Sequence, residues 1–137
     1  MKVIYTKEYN KKIVSWEDAI NNFNWSLNNN DVVKHNDLGF FVSHRADQIK
    51  SVKPILEDLK CKSAHLYFNI ITKAKTFGNH KDTMDVWFWQ CQGETKWIIE
   101  DKTVYHLNSG DLIYIPKGIK HEVIPLTPRV GISMAKE

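Results

Sequence analysis

The 137 residues, 42% hydrophobic and 26% charged, are enough for one domain with a sizeable core. The formal charge of +3 rests on seventeen lysines spread along the chain and two arginines, Arg45 and Arg129, with no basic cluster interleaved with aromatics as a nucleic-acid surface needs. Apolar runs are as short as Leu112-Ile113-Tyr114-Ile115, too short for a membrane-spanning helix, and Met1 to Tyr5 lead into polar residues rather than an apolar signal region, so a cytoplasmic chain without membrane or nucleic-acid partners is expected.

In chain order, Ser15-Trp16-Glu17-Asp18 has the form of a helix start, with acids in the first turn. Trp16, Ala19, Ile20 and Phe23 follow at helical spacing and predict one apolar face, ended by the polar run Asn28 to Asp31. A short strand from Gly39 to Ser43 precedes a second helix that starts near Ser51, tolerates Pro54 in its first turn and carries Val52, Leu56 and Leu59. Cys61 and Cys91 are expected to be reduced thiols.

From Ser63 the texture changes to short β-rich runs, at 64–72, 84–92, 95–100, 103–107, 112–115, 120–125 and 129–135. Turn signals separate them, among them Gly93, Asn108-Ser109-Gly110-Asp111, Lys117-Gly118 and Thr127-Pro128. Seven strands at this spacing predict a sandwich or barrel. The expected organisation is one mainly-β domain over 1–137, a helical flank (1–62) followed by a barrel core (63–137).

His80 and Asp82 are one residue apart, and residues i and i+2 of an extended segment share a face. His121, forty-one positions on and following Pro116-Lys117-Gly118, can return from a neighbouring strand. Two imidazoles and a carboxylate suit mononuclear iron(II) with open coordination positions. The alternative is a metal-free shell in which His80 and Asp82 cap the turn after Gly78.

The segment Phe77 to Trp97, with His80-Lys81-Asp82, Asp85-Val86, Gln90 and Gly93, resembles the JmjC-type cupin oxygenases, in particular the branch of ribosomal oxygenases and asparaginyl hydroxylases. Gly110-Asp111, Tyr114-Ile115-Pro116 and His121 are similar to that family's second block. The resemblance covers about residues 63–135. It implies a double-stranded β-helix (cupin or jelly-roll) fold holding iron(II) through His80, Asp82 and His121. It also implies 2-oxoglutarate as co-substrate, decarboxylated as a substrate is hydroxylated, with Asp85 and Gln90 in supporting positions. Relative to larger members, no extra C-terminal domain is expected.

In the resembling enzymes a base two residues after the Gly of the Gln-x-x-Gly segment binds the distal carboxylate of 2-oxoglutarate. Thr95 occupies that position here, and strand alternation turns neighbouring Lys96 to the other face unless a bulge resets the register. Other 2-oxoglutarate oxygenases use an arginine of the last strand, which makes Arg129 the candidate, with Ser133 on the same face. Tyr67 and Asn69 share a face of the first core strand and align with the family's co-substrate pocket. Phe88 and Val123 are expected as apolar walls.

Trp87 and Trp89 alternate with Val86 and Phe88 and are expected to face outward, under the N-terminal helices with Trp16 and Phe23 or on a homodimer surface. Cys91 reads as a barrel-wall residue, and His35, His44, His65 and His106 as structural or exposed. The expected activity is an iron(II)/2-oxoglutarate hydroxylase of a protein side chain or exposed small molecule. The competing readings are a metal cupin acting on a small molecule without 2-oxoglutarate, and a non-enzymatic cupin module.

Overall fold

The computed structural model describes residues 2–34, 39–71 and 76–136. His35 and Thr72, the end of the first predicted core strand, lie outside the described residues.

Among the described residues ten strands form two antiparallel sheets. The larger has the order β1-β8-β5-β10-β4-β3-β2 and the smaller β7-β6-β9. These are β1 (Ile4–Thr6), β2 (Val32–Lys34), β3 (Phe40–Ser43), β4 (Ser63–Asn69), β5 (Val86–Gln92), β6 (Thr95–Ile99), β7 (Thr103–Leu107), β8 (Leu112–Ile115), β9 (His121–Pro125) and β10 (Arg129–Ala135). Each of the seven predicted β runs becomes a strand. Among the described residues the pairings form two separate sheets rather than one closed ring. The region expected as a helical flank also contributes three strands to the larger sheet. One of them, β1, needs only three residues because β8 supplies its pairing partner, so its own sequence pattern is weak.

The larger sheet is covered on both faces. Leu66, Phe68, Trp89, Cys91, Val130, Ile132 and Met134 face the two helices, α1 (Trp16–Asn28) and α2 (Lys53–Leu59). Phe88, Ile113 and Ile115 face Trp97, Ile99 and Leu107 of the smaller sheet. Double coverage explains why β8 is buried at every position instead of alternating. Trp89 does point towards the N-terminal flank, where it is fully buried and its indole N–H donates to Asn10 O at 3.0 Å. Trp87 is half-buried, its ring 4.5 Å from that of Tyr114.

Helix α1 starts as expected, with Ser15 Oγ accepting from Asp18 N at 3.0 Å. Its buried face is rotated from the predicted one: Ala19, Asn22 and Ser26 are buried, whereas Ile20 is exposed. Ser43 of β3 is the reason, because its hydroxyl lies under the helix and bonds both Ser26 Oγ and Asn22 Oδ1. A buried hydroxyl requires polar partners, and the helix turns to supply them. Both cysteines are buried and free.

Asp111 ties the N-terminus to the sheet. Its buried carboxylate accepts from Tyr5 Oη at 2.8 Å and from the backbone N–H groups of Glu8 and Asn108 at 2.9 Å each. Asp111→Ala strands these donors and should lower the unfolding free energy by about 2–3 kcal/mol in urea titrations. A loss under about 0.5 kcal/mol would mean that water replaces the carboxylate without cost.

Candidate functional site

A cavity of about 250 Å³ opens between the sheets. Tyr67, Phe88, Arg129 and Ser133 line it from the larger sheet, and Trp97, His121 and Val123 from the smaller. His80 and Asp82 enter from the segment between β4 and β5.

The three candidate ligands converge. His80 and His121 exchange backbone hydrogen bonds, N to O at 2.9 and 2.8 Å, which places their rings 4.4 Å apart by centroid. Gly118 N donates to Asp82 O at 2.9 Å and holds the carboxylate segment to the turn before His121. Potential ligand atoms of the three residues all lie within 4.8 Å of one another. His80 Nδ1 lies 2.8 Å from Gly78 O and His121 Nδ1 2.9 Å from Ile119 O. A carbonyl can only accept, so each Nδ1 carries its proton and each Nε2 is left for the centre. Those Nε2 atoms lie 3.5 and 3.3 Å from the Asp82 carboxylate oxygens.

An exposed turn braces this arrangement from outside. Asp101 accepts from Asn79 Nδ2 at 2.8 Å and from Lys120 Nζ at 2.7 Å, and these residues directly precede His80 and His121. The backbone N–H of Glu100 also donates to Lys120 O at 2.8 Å.

Arg129 is buried at the other end of the cavity wall. Its Nε donates to Asn69 Oδ1 at 2.6 Å, while Nη1 has no hydrogen-bond partner among the described residues. Burial pulls the guanidinium down to about 10, which leaves it cationic at neutral pH. Tyr67 and Ser133 both line the cavity; burial, then Asp82, pushes the Tyr67 phenol up to about 12, so it stays a neutral donor. Asn69 does not line the cavity but orients Arg129 from behind.

Thr95 is a correction. It does not line the cavity: its buried hydroxyl donates to Gln90 Oε1 at 3.0 Å and accepts from Trp97 Nε1 at 3.1 Å. Gln90 in turn donates to the Gly93 carbonyl, so this chain uses the position to hold a turn. Lys96 is also off the cavity, because β6 pairs in regular register on both sides. Phe88 and Val123 are walls as expected, and Asp85 accepts from Lys117 N at 2.9 Å in the turn before His121.

Other site residues were not legible as such. Trp97 stacks on His121, with centroids 5.9 Å apart and planes 22° apart. Phe40, from the N-terminal flank, lies 5.6 Å from the Arg129 guanidinium carbon by ring centroid. His65, read as structural or exposed, lines the cavity and packs its ring 4.7 Å from that of His44. Strand alternation was the available signal for His65, which lies two residues before Tyr67 on the same face; Phe40 carried none, because its strand is separated from the motif.

No protein-family model matches the sequence, and no curated protein matches it either. Solved structures do match. The ribosomal oxygenase YcfD from Escherichia coli, in complex with cobalt and 2-oxoglutarate, superimposes with a TM-score of 0.76 at 15% identity, over 99% of this chain and 48% of its own. This chain thus spans about half the length of that relative. A Pseudomonas putida prolyl-4-hydroxylase gives 0.64 at 10% identity, over 98% of this chain and 92% of its own. A cupin superfamily protein from Desulfitobacterium hafniense gives 0.55 at 10% identity, over 76% and 83%. These likenesses establish a mainly-β fold of the cupin type.

The Asp82 carboxyl, which burial alone would raise, is held well below the usual carboxylate range by hydrogen bonds from His121 and His80. The bond to Asp82 raises His80 above 6.5, against the opposing effect of burial. A raised histidine stabilises the fold below its unfolded value and loses that contribution as pH rises through its folded value. Metal-free protein should therefore lose stability above about pH 6.5, with His80 titrating above that value by NMR and returning towards it in Asp82→Asn. An unshifted His80 in the parent protein would mean that the pair does not form in solution.

Proposed function

We propose that this chain is an iron(II)- and 2-oxoglutarate-dependent oxygenase that hydroxylates a protein side chain. The observation that carries the reading is the buried Arg129 Nη1, a cationic donor without a partner among the described residues, on the wall of the cavity that holds the His80–Asp82–His121 triad. A buried charge left unpaired is costly, and a carboxylate is the partner whose geometry a guanidinium fits best.

Both groups fit the residues present. His80 Nε2, His121 Nε2 and one Asp82 oxygen would hold the metal, and three protein ligands leave positions for a chelating co-substrate. Iron(II) and 2-oxoglutarate bound together would supply, with dioxygen as the oxidant, decarboxylation of 2-oxoglutarate to succinate and carbon dioxide coupled to hydroxylation of a C–H bond, one oxygen atom going to succinate and one to the hydroxylated product. The chain's own residues bind and orient. Gly78 and Ile119 carbonyls fix the imidazole tautomers, and Trp97 keeps water from one face of His121. Arg129 would take the distal carboxylate, with Tyr67 donating its phenol proton to the same group.

The size of the cavity supports a side chain as the prime substrate. At about 250 Å³ it is smaller than pockets that enclose a drug-sized ligand, which start at roughly 300 Å³. With 2-oxoglutarate inside, one side chain presented from a larger molecule fits better than a second whole metabolite.

Anaerobic titration of 2-oxoglutarate into iron(II)-loaded protein should produce a weak visible charge-transfer band, and Arg129→Ala should weaken binding about a hundredfold, near 3 kcal/mol. Protein that holds iron and gives no band would remove 2-oxoglutarate from the mechanism. For the metal, Asp82→Ala should abolish cobalt(II) binding. Asp101→Ala, which removes no ligand, should raise the cobalt(II) dissociation constant roughly 3- to 10-fold, less than a partner bonded directly to a ligand would because Asp101 is exposed. An unchanged constant in Asp101→Ala would make the turn irrelevant to the site.

A further inference from the structure

Gly131 occupies the middle of β10, the strand flanked by β4 and β5, between the fully buried Val130 and Ile132. A glycine there gives up packing and backbone order, so it needs a reason. A left-handed backbone is not that reason, and the register shift against β5 between Val130 and Gly131 places the extra residue, Cys91, on β5 rather than on β10. Space is. A Cβ on Gly131 would lie 2.1 Å from Cζ of Phe88, 2.5 Å from Cε1 and 3.1 Å from Cε2. The Phe88 ring occupies the volume that a side chain would need.

From that seat the ring meets the rest of the site. Its centroid is 5.6 Å from the Arg129 guanidinium carbon, 4.9 Å from the Trp97 ring and 6.0 Å from the Tyr67 ring. Among the described residues Arg129 has one side-chain hydrogen bond, from Nε to Asn69 Oδ1, and its guanidinium is bordered by Phe88 and by Phe40, each at 5.6 Å. A single hydrogen bond at Nε leaves rotation of the group open. Aromatic faces remove that freedom and keep water from the cation, which strengthens its attraction for an anion.

We infer that Phe88, seated on the bare Cα of Gly131, is a positioning residue that orients Arg129 and makes the cavity selective for 2-oxo acids with a second, distal carboxylate. The inference rests on the reading of Arg129 as the carboxylate partner. Phe88 acts through Arg129 and leaves the metal ligands untouched. Gly131 is the space that permits it. Two different substitutions should therefore fail alike: Gly131→Ala keeps the ring and displaces it, while Phe88→Leu keeps apolar volume and removes the ring.

The test uses the metal-loaded protein with two probes, 2-oxoglutarate and 2-oxobutyrate, which share the chelating 2-oxo acid and differ in the distal carboxylate. Dissociation constants are read from the charge-transfer band of the iron(II) protein, and cobalt(II) affinity is measured separately by absorption. Parent protein should prefer 2-oxoglutarate by about a hundredfold, and Arg129→Ala should abolish that preference. Phe88→Leu and Gly131→Ala should each lose at least tenfold of it through weaker 2-oxoglutarate binding, with 2-oxobutyrate and cobalt(II) affinities unchanged. Phe88→Leu is nearly volume-conserving, so it keeps the test decisive if Gly131→Ala does not fold. An unchanged preference in Phe88→Leu, where Arg129→Ala has lost it, overturns the inference and leaves the oxygenase reading intact. A parallel fall in cobalt(II) affinity overturns it as well, because the residue would then be supporting the whole site. If metal-loaded parent protein shows no preference for 2-oxoglutarate, the carboxylate reading itself fails and takes the inference with it.

Discussion

The register of β10 is the constraint on which the Arg129 side of the cavity depends. This strand pairs with β4 on one side and β5 on the other, and its alternation places Arg129, Gly131 and Ser133 towards the cavity and Val130, Ile132 and Met134 towards the helices. Arg129 pairs with Asn69 and Gly131 with Tyr67, so the guanidinium meets its amide anchor and the glycine lies beside the phenol. A slip of one residue would reverse every side chain, sending the arginine into the apolar layer under the helices. That layer resists the slip, because Val130, Ile132 and Met134 are all fully buried in it. The apolar face of the strand thereby guarantees the position of its polar face.

The polar groups around the cavity divide into those that satisfy one another and those that do not. Gln90, Thr95 and Trp97 close among themselves and hold the turn at Gly93. The Asp82 carboxylate faces both imidazole Nε2 atoms, at 3.5 and 3.3 Å, with the Nδ1 protons already committed to carbonyls. Arg129 stands apart. One nitrogen is anchored and another is buried with no partner among the described residues, an arrangement that makes sense when an anion completes it. Polar groups that close on one another and a cation left open to the cavity thus lie on neighbouring strands.

The N-terminal sixty residues do more than cover the sheet. Strand β3 lies beside β4 and brings Phe40 against Arg129, while Ser43 of the same strand turns α1 so that Asn22 and Ser26 face inward. Tyr5 and Glu8 reach Asp111, which sits just before β8. The likeness to the ribosomal oxygenase spans 99% of this chain, flank included, although it covers only about half of that protein.

Local pattern determined much of this protein in advance. Period-two runs and turn residues were enough for the seven strands of the core, Ser15 for the start of α1, and the spacing of His80, Asp82 and His121 for a shared centre, because each depends on residues close in sequence or on a motif with few geometries. Only tertiary structure decided the rest. Thr95 and Arg129 were both open candidates for the co-substrate; regular pairing of β6 and bonds to Gln90 and Trp97 turned the first to structural use, and the register of β10 brought the second to the cavity. Ile20 fits the apolar pattern of α1 yet is exposed, since Ser43 on a distant strand fixed the rotation of the helix. Phe40 and Gly131 could not be read as site residues at all. Their roles depend on the distance to a side chain far away in sequence, and such distances exist only once the sheets have folded against each other.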